Sequence, residues 1–298
     1  MQSPFINFRL PGPFARRRGR GAAPAFDPDA ATYIAAVEAA DEQELEPGLK
    51  QAIDGFVTGC KADGVWDAIK ASCILAGART LNGALVPLAG DAPTNFNFVS
   101  DDYDRVTGLK GDGSTKYLDS NRATNADPQN NNHAVSFLSS AGVSSSTETY
   151  LHSSNRRSDG ATGFGRSSTA TQVFIRSVNS GADSVPEGAT VGFMGLARNN
   201  ASNFTFRASE TNTVISRNSQ TPASEPFFLF AHNEAFTNAR LSFYSIGESI
   251  DLAALDTRVS ALMADLAFTL NTGLSPYEYD RDTINYVNAG YAAGGSLA

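Results

Sequence analysis

The chain has 298 residues, of which 41% are hydrophobic and 18% charged, enough for one large or two modest folded domains and unlike a disordered chain. Its net charge of −8 is uneven: residues 1–26 hold five arginines and no acid, which leaves the remainder at −13, and so acidic a body argues against general nucleic-acid affinity. No apolar run reaches the ~18–20 residues a membrane helix needs and the start lacks a signal-peptide core, so the expectation is a protein made in a cytoplasm without membrane insertion.

Residues 1–26 combine Pro and Gly with Phe5, Phe8 and Phe14 and the cluster Arg16, Arg17, Arg18. A free tail rarely carries so many large apolar groups, so this segment reads as an extended arm whose aromatics and arginines anchor it on another subunit. Residues 27–92 form a small helical unit. Asp27 before Pro28 is a helix start, with a capping carboxylate and Pro at the first helical position. Pro47-Gly48 restarts the chain, and Leu49, Ile53, Phe56, Val57 and Cys60 give a second apolar stripe. A third short helix is predicted over 64–70, and 73–76 and 84–88 read as extended. So small a unit would be marginal alone and is expected to pack on the rest of the chain or on a symmetry mate. Cys60 and Cys73 read as buried free thiols of a reducing compartment.

From 93 to 250 short apolar runs alternate with Ser, Thr, Asn and Gly clusters; Ser, Thr and Asn fill 56 of the 160 positions from 91 to 250. Runs such as 171–178, 189–197 and 203–208 have period-two character between turn formers, which predicts a mainly β, antiparallel two-sheet jelly-roll sandwich. A long helix follows. Leu252, Leu255, Val259, Leu262 and Leu266 are spaced as a heptad seam, which fits either packing on the sheet or a three-fold helical contact. The stretch from 274 to 298 reads as a second docking tail.

Little of this chain reads as catalytic. His133, His152 and His232 are scattered, without zinc-ligand spacing, and are expected on the surface or in loops. Residues 163–168 (GFGRSS) lack the Gly-Lys-Ser/Thr of a phosphate loop. Asp101, Asp102 and Asp104 are the best acidic constellation, a weak calcium candidate against a solvated turn; no metal and no cofactor are expected. Glu148 and Glu210 show no same-face pairing of the kind a sandwich glycosidase needs. Tyr150, His152, Asn155, Arg156 and Arg157 mix aromatic, amide and guanidinium groups suited to stacking on and hydrogen-bonding a sugar, and are the candidate ligand site.

The segments YDRVTGLKGDGSTKYLDSNR (103–122), ADPQNNNHAV (126–135), LSFYSIGESIDLAALDTRVSAL (241–262) and the upstream DGFVTGCKADGVWDAIKASCILAGARTL (54–81) are similar to concanavalin A-like, laminin-G-type modules in virion proteins of tailed bacteriophages. The resemblance covers residues 28–270 and brings no functional residues with it. It implies a non-enzymatic virion structural protein, such as a tail fibre, tip or capsid- or neck-attached fibre, assembled in the host cytoplasm. Its partners would be other virion proteins, further copies of itself (a homotrimer) and a host-surface glycan, with nucleic acid not expected. The alternatives in the same setting are a cement or scaffold subunit and a polysaccharide depolymerase.

Overall fold

The computed structural model describes residues 25–142, 147–153, 159–167, 172–186, 191–232, 235–278 and 288. In chain order its elements are α1 (Pro28–Asp41), α2 (Pro47–Ala62), β1 (Ile69–Ile74), α3 (Leu81–Ala84), β2 (Thr94–Phe96), β3 (Tyr103–Asp104), β4 (Gly108–Lys110) and β5 (Tyr117–Ala123). There follow β6 (Asn132–Ser140), β7 (Glu148–Ser153), β8 (Ala161–Arg166), β9 (Val173–Asn179), β10 (Asp183–Val185), β11 (Gly192–Arg198), β12 (Asn203–Ala208) and β13 (Thr211–Ser216). The last are β14 (Pro226–Leu229), β15 (Arg240–Gly247) and α4 (Leu252–Thr272).

The strands make two antiparallel sheets. One has eight strands, ordered β13-β12-β11-β6-β15-β4-β3 with β1 also paired to β15; the other has seven, ordered β10-β9-β8-β7-β14-β5-β2. Between them lies a core built by the inward member of each alternation, including Leu118, Leu138, Leu151, Phe164, Ile175, Met194, Phe206, Leu229 and Ile246. This is the predicted mainly β sandwich with N-terminal helices and a C-terminal helix.

The helices form a third layer on the outer face of the eight-stranded sheet. Val135, Phe193, Ala197 and Phe243 point away from the sandwich core and share a second cluster with Tyr33, Ile34 and Val37 of α1 and Leu49, Ile53, Phe56 and Val57 of α2. The α4 seam joins the same cluster: Leu252, Leu255, Val259, Leu262 and Leu266 are all buried there. The seam is therefore satisfied within the chain by α2 and the sheet, which leaves it no side for a three-fold helical contact. Close approach of α2 to α4 needs small residues. A Cβ on Gly48 would lie 2.7 Å from Thr269 Oγ1, and one on Gly59 would meet the Arg258 side chain at 2.9 Å. Arg258 also pairs with Asp63 at 2.7 Å, tying α4 to the end of α2.

The capping signals place the helices as expected. The Asp27 carboxylate accepts from Asp29 N, Pro28 and Pro47 open their helices, and Asp251 caps α4 through Ala253 N and Ala254 N. Two local expectations are corrected. Residues 64–70 hold one 3-10 turn (Trp66–Ala68), after which Ile69 enters β1, because β15 offers it a strand to pair with. Residues 84–88 are not a strand: Thr80 caps a short helix through Gly83 N and is itself held by the Asp41 carboxylate, so the chain turns there. No helix among the described residues is long and apolar enough to cross a membrane.

Candidate functional site

Because the helical layer covers the eight-stranded sheet, the other broad surface of the sandwich is the outer face of the seven-stranded sheet. Residues paired across neighbouring strands share a face. The pairing Thr94–Asp119–Phe228–His152–Gly163–Arg176 therefore runs across six strands as one outward row. Beside it lie the outward pairs Phe96–Tyr117 and Thr149–Gly165–Phe174–Ser184.

This face has a closed part and an open part. In the closed part, Gly163 and Gly165 leave space on β8 for rings from the flanking strands. A Cβ on Gly163 would meet the His152 ring at 2.4 Å, and one on Gly165 the Phe174 ring at 2.8 Å. His152 packs on His232 with centroids 4.6 Å apart and on Phe174 at 6.0 Å, and His152, His232 and Arg176 are all buried. The glycines of the GFG segment thus accommodate side chains, not phosphates.

The open part is at the β2 end. Phe96 stacks on Tyr117 (centroids 4.3 Å, planes 4° apart), and Tyr117 in turn meets Phe228 at 4.9 Å and Phe236 at 6.4 Å. Phe96 is 37% exposed; β2 is the last strand of its sheet, so one ring face has Tyr117 against it and, among the described residues, no strand lies beyond the other. Polar groups flank the rings. Asp119 Oδ1 accepts from Asn121 N at 2.8 Å, and Asn121 Nδ2 donates to Thr94 Oγ1 at 3.0 Å and to Ala92 O at 2.8 Å. Aromatic edges beside a carboxylate and an amide are the chemistry that holds a sugar: rings take its C–H face, and the polar groups take its hydroxyls. The charged side chain among them is an acid, which favours an uncharged sugar over an anionic one.

The predicted site residues fall elsewhere. Tyr150 is fully buried and belongs to the core between the sheets, because a register shift between Thr149 and Leu151 breaks the strand's alternation. His152 is on the correct face but buried. Asn155, Arg156 and Arg157 lie outside the described residues, as do Phe5, Phe8, Phe14, Arg16, Arg17 and Arg18 of the arm. None of the three histidines is on the surface; His133 holds Glu248 O through Nδ1 and Ser245 Oγ through Nε2. Of the acidic trio, Asp102 pairs with Lys116 Nζ at 2.5 Å and accepts from Val99 N, and Asp104 accepts from Val106 N and Thr107 N; these oxygens serve local turns. Among the described residues no group of three or more His, Cys, Asp or Glu could hold a metal ion. Glu148 is buried inside the sandwich, 3.4 Å from Arg166, while Glu210 sits in the β12–β13 turn, so the two are not a catalytic pair. The group of exposed Phe96 and half-buried Tyr117, Asp119, Phe228 and Phe236 is the one the sequence reading missed.

No protein-family model and no curated protein matches the chain. Among solved structures it is similar to a Trypanosoma rangeli sialidase (9% identity, TM-score 0.41, covering 67% of this chain and 33% of that one). It is also similar to the botulinum neurotoxin serotype D binding domain (11%, TM-score 0.45, 65% and 51%). A third likeness is to the CBM40 of a Ruminococcus gnavus IT-sialidase bound to alpha2,3 sialyllactose (9%, TM-score 0.34, 44% and 83%). The chain spans about a third of the sialidase and half of the toxin domain. The assignment of a sandwich rests on this chain's own two sheets.

Proposed function

We propose that this chain is a lectin-like β-sandwich protein that holds a host-surface glycan and turns over no substrate, and that it serves as a structural, attachment component of a tailed-phage particle. The observation that carries the binding role is the open aromatic group at the β2 end, where Phe96 offers a ring face beside Tyr117, Phe228 and Phe236, with Asp119, Thr94 and Asn121 around them. The phage setting rests on the sequence resemblance of residues 28–270, and the anchoring role on the arginine-bearing, aromatic composition of residues 1–26.

Binding of the full chain to a panel of neutral and anionic oligosaccharides tests the reading. The expected result is retention of neutral sugars, weakened tenfold or more in Phe96→Ala and Tyr117→Ala, a loss of about 1.4 kcal/mol or more. Phe96→Ala should melt with the wild type, since that ring is part-exposed. Absence of binding at millimolar sugar, or binding indifferent to both substitutions, rejects the aromatic group as the site. Release of reducing ends from the glycan would replace the binding role with a depolymerase. Mass spectrometry of purified particles tests the virion role separately.

A further inference from the structure

The sheet edges of this molecule are closed unequally. The seven-stranded sheet ends in β2 and β10, three residues each. On the eight-stranded sheet one end carries β3, only two residues long, and β1, whose outer side is covered where Ser72 N donates to Ala89 O (3.0 Å) and Leu88 N to Ser72 O (2.8 Å). The other end is β13. It has six residues, Thr-Asn-Thr-Val-Ile-Ser, with no charge, no proline and an unbroken register against β12. An edge of that length, without such protection among the described residues, is a template for a further strand.

The geometry of the hairpin says which groups are on offer. Ser209 and Glu210 both have positive φ (48° and 59°), so β12 and β13 are joined by a two-residue type I′ turn closed by the hydrogen-bonded pair Ala208–Thr211. Alternation from that pair turns Thr211, Thr213 and Ile215 toward β12, and the backbone N–H and C=O of Asn212, Val214 and Ser216 toward the open side. Val214 is also 64% exposed, the most exposed large apolar side chain among the described residues.

We propose that β13 pairs antiparallel with β13 of a second copy across a two-fold axis at Val214, joining the two eight-stranded sheets into one. The register follows from the outward groups. Centred on Val214, all three outward residues of each strand find partners, giving about six backbone hydrogen bonds. Val214 then meets Val214 of the second copy, and Asn212 meets Ser216. Arg217 falls opposite Thr211 and stays engaged with Asp183 of its own chain at 2.7 Å, so no charge is set against a like charge along the ladder. The strand is thus complementary to itself in backbone pattern and apolar contact, which is what a two-fold, isologous contact requires. The association is a dimer and not the expected trimer.

Sedimentation of the full chain from about 1 to about 200 μM tests it. The expected result is a monomer–dimer equilibrium that Val214→Lys weakens tenfold or more by setting like charges opposite each other on the axis, with an unchanged melting temperature. Val214→Cys should give a disulfide-linked dimer under mild oxidation, since the facing Cα atoms of such a pair lie ~5.5 Å apart. Val99→Cys, at the similarly exposed Val99 (56%), should not. A wild type monomeric over the whole range, a trimer, a dimer untouched by Val214→Lys, or equal cross-linking from Val99→Cys each overturns the proposal.

Discussion

His133 makes a quantitative test of the fold possible through pH. It sits on β6 with its ring fully buried, Nδ1 on Glu248 O at 2.5 Å and Nε2 on Ser245 Oγ at 2.7 Å. A neutral ring satisfies both contacts, with one nitrogen donating to the carbonyl and the other accepting from the hydroxyl. Burial disfavours the imidazolium and pushes its pKa from 6.5 down to about 4. The unfolded chain therefore binds the proton more readily than the folded one. Stability from this residue is complete above pH 6.5 and is lost as pH falls from there toward 4. At 1.36 kcal/mol per pH unit for one proton, the loss between pH 8 and pH 5 comes to about 2 kcal/mol. Urea unfolding at a series of pH values, on wild type and on His133→Gln, isolates the contribution. Gln can keep both contacts but carries no proton, so the variant's stability should fall by about 2 kcal/mol less over that interval. Parallel pH profiles for the two proteins would refute the argument.

Three further outcomes follow from other buried groups. Arg198 is wholly buried and has no carboxylate partner among the described residues; it donates to the carbonyls of Ser177, Asn200, Asn203 and Arg217 and lies over the Phe204 ring. Arg198→Met should cost at least ~3 kcal/mol in denaturant unfolding, at ~1 kcal/mol or more per orphaned carbonyl. Leu262→Ala, in the α4 seam, should cost ~2–5 kcal/mol and leave the oligomeric state unchanged by sedimentation, because the seam faces α2 and the sheet of its own chain. Cys60 and Cys73 are both buried, with thiols pushed up to about 12 by desolvation, so neither should react with a thiol reagent in the native protein within minutes and both should react in denaturant.

The parts of this fold legible in the sequence are those where local chemistry decides. Asp27-Pro28 and Pro47 start helices because a cap or a fixed φ acts within one turn, and the alternation in residues 203–208 marks β12 residue for residue. Residues 64–70 misled because Val65, Trp66 and Ile69 have helical spacing, while the strand that captures Ile69 lies far along the chain in β15. The candidate site was missed for a related reason. Its four rings come from four separate segments, and the signal in any one of them, such as outward Tyr117 and Asp119 around inward Leu118, is too short to stand out. Tyr150 and His152 looked like a surface pair since they alternate, but a bulge and close ring packing bury both.

The helical layer gives the molecule a front and a back. The chain enters the described fold at α1 and leaves it past α4, both on the layer over the eight-stranded sheet, where Ser275 Oγ also bonds to Gln51. The described fold thus begins and ends on that side, and the rings of Phe96 and Tyr117 lie on the opposite face of the sandwich. If the chain holds a surface as proposed, a load between that face and the two ends of the fold would cross the thickness of the sandwich and be carried by the packed cores between its layers, instead of peeling strands one by one from an edge.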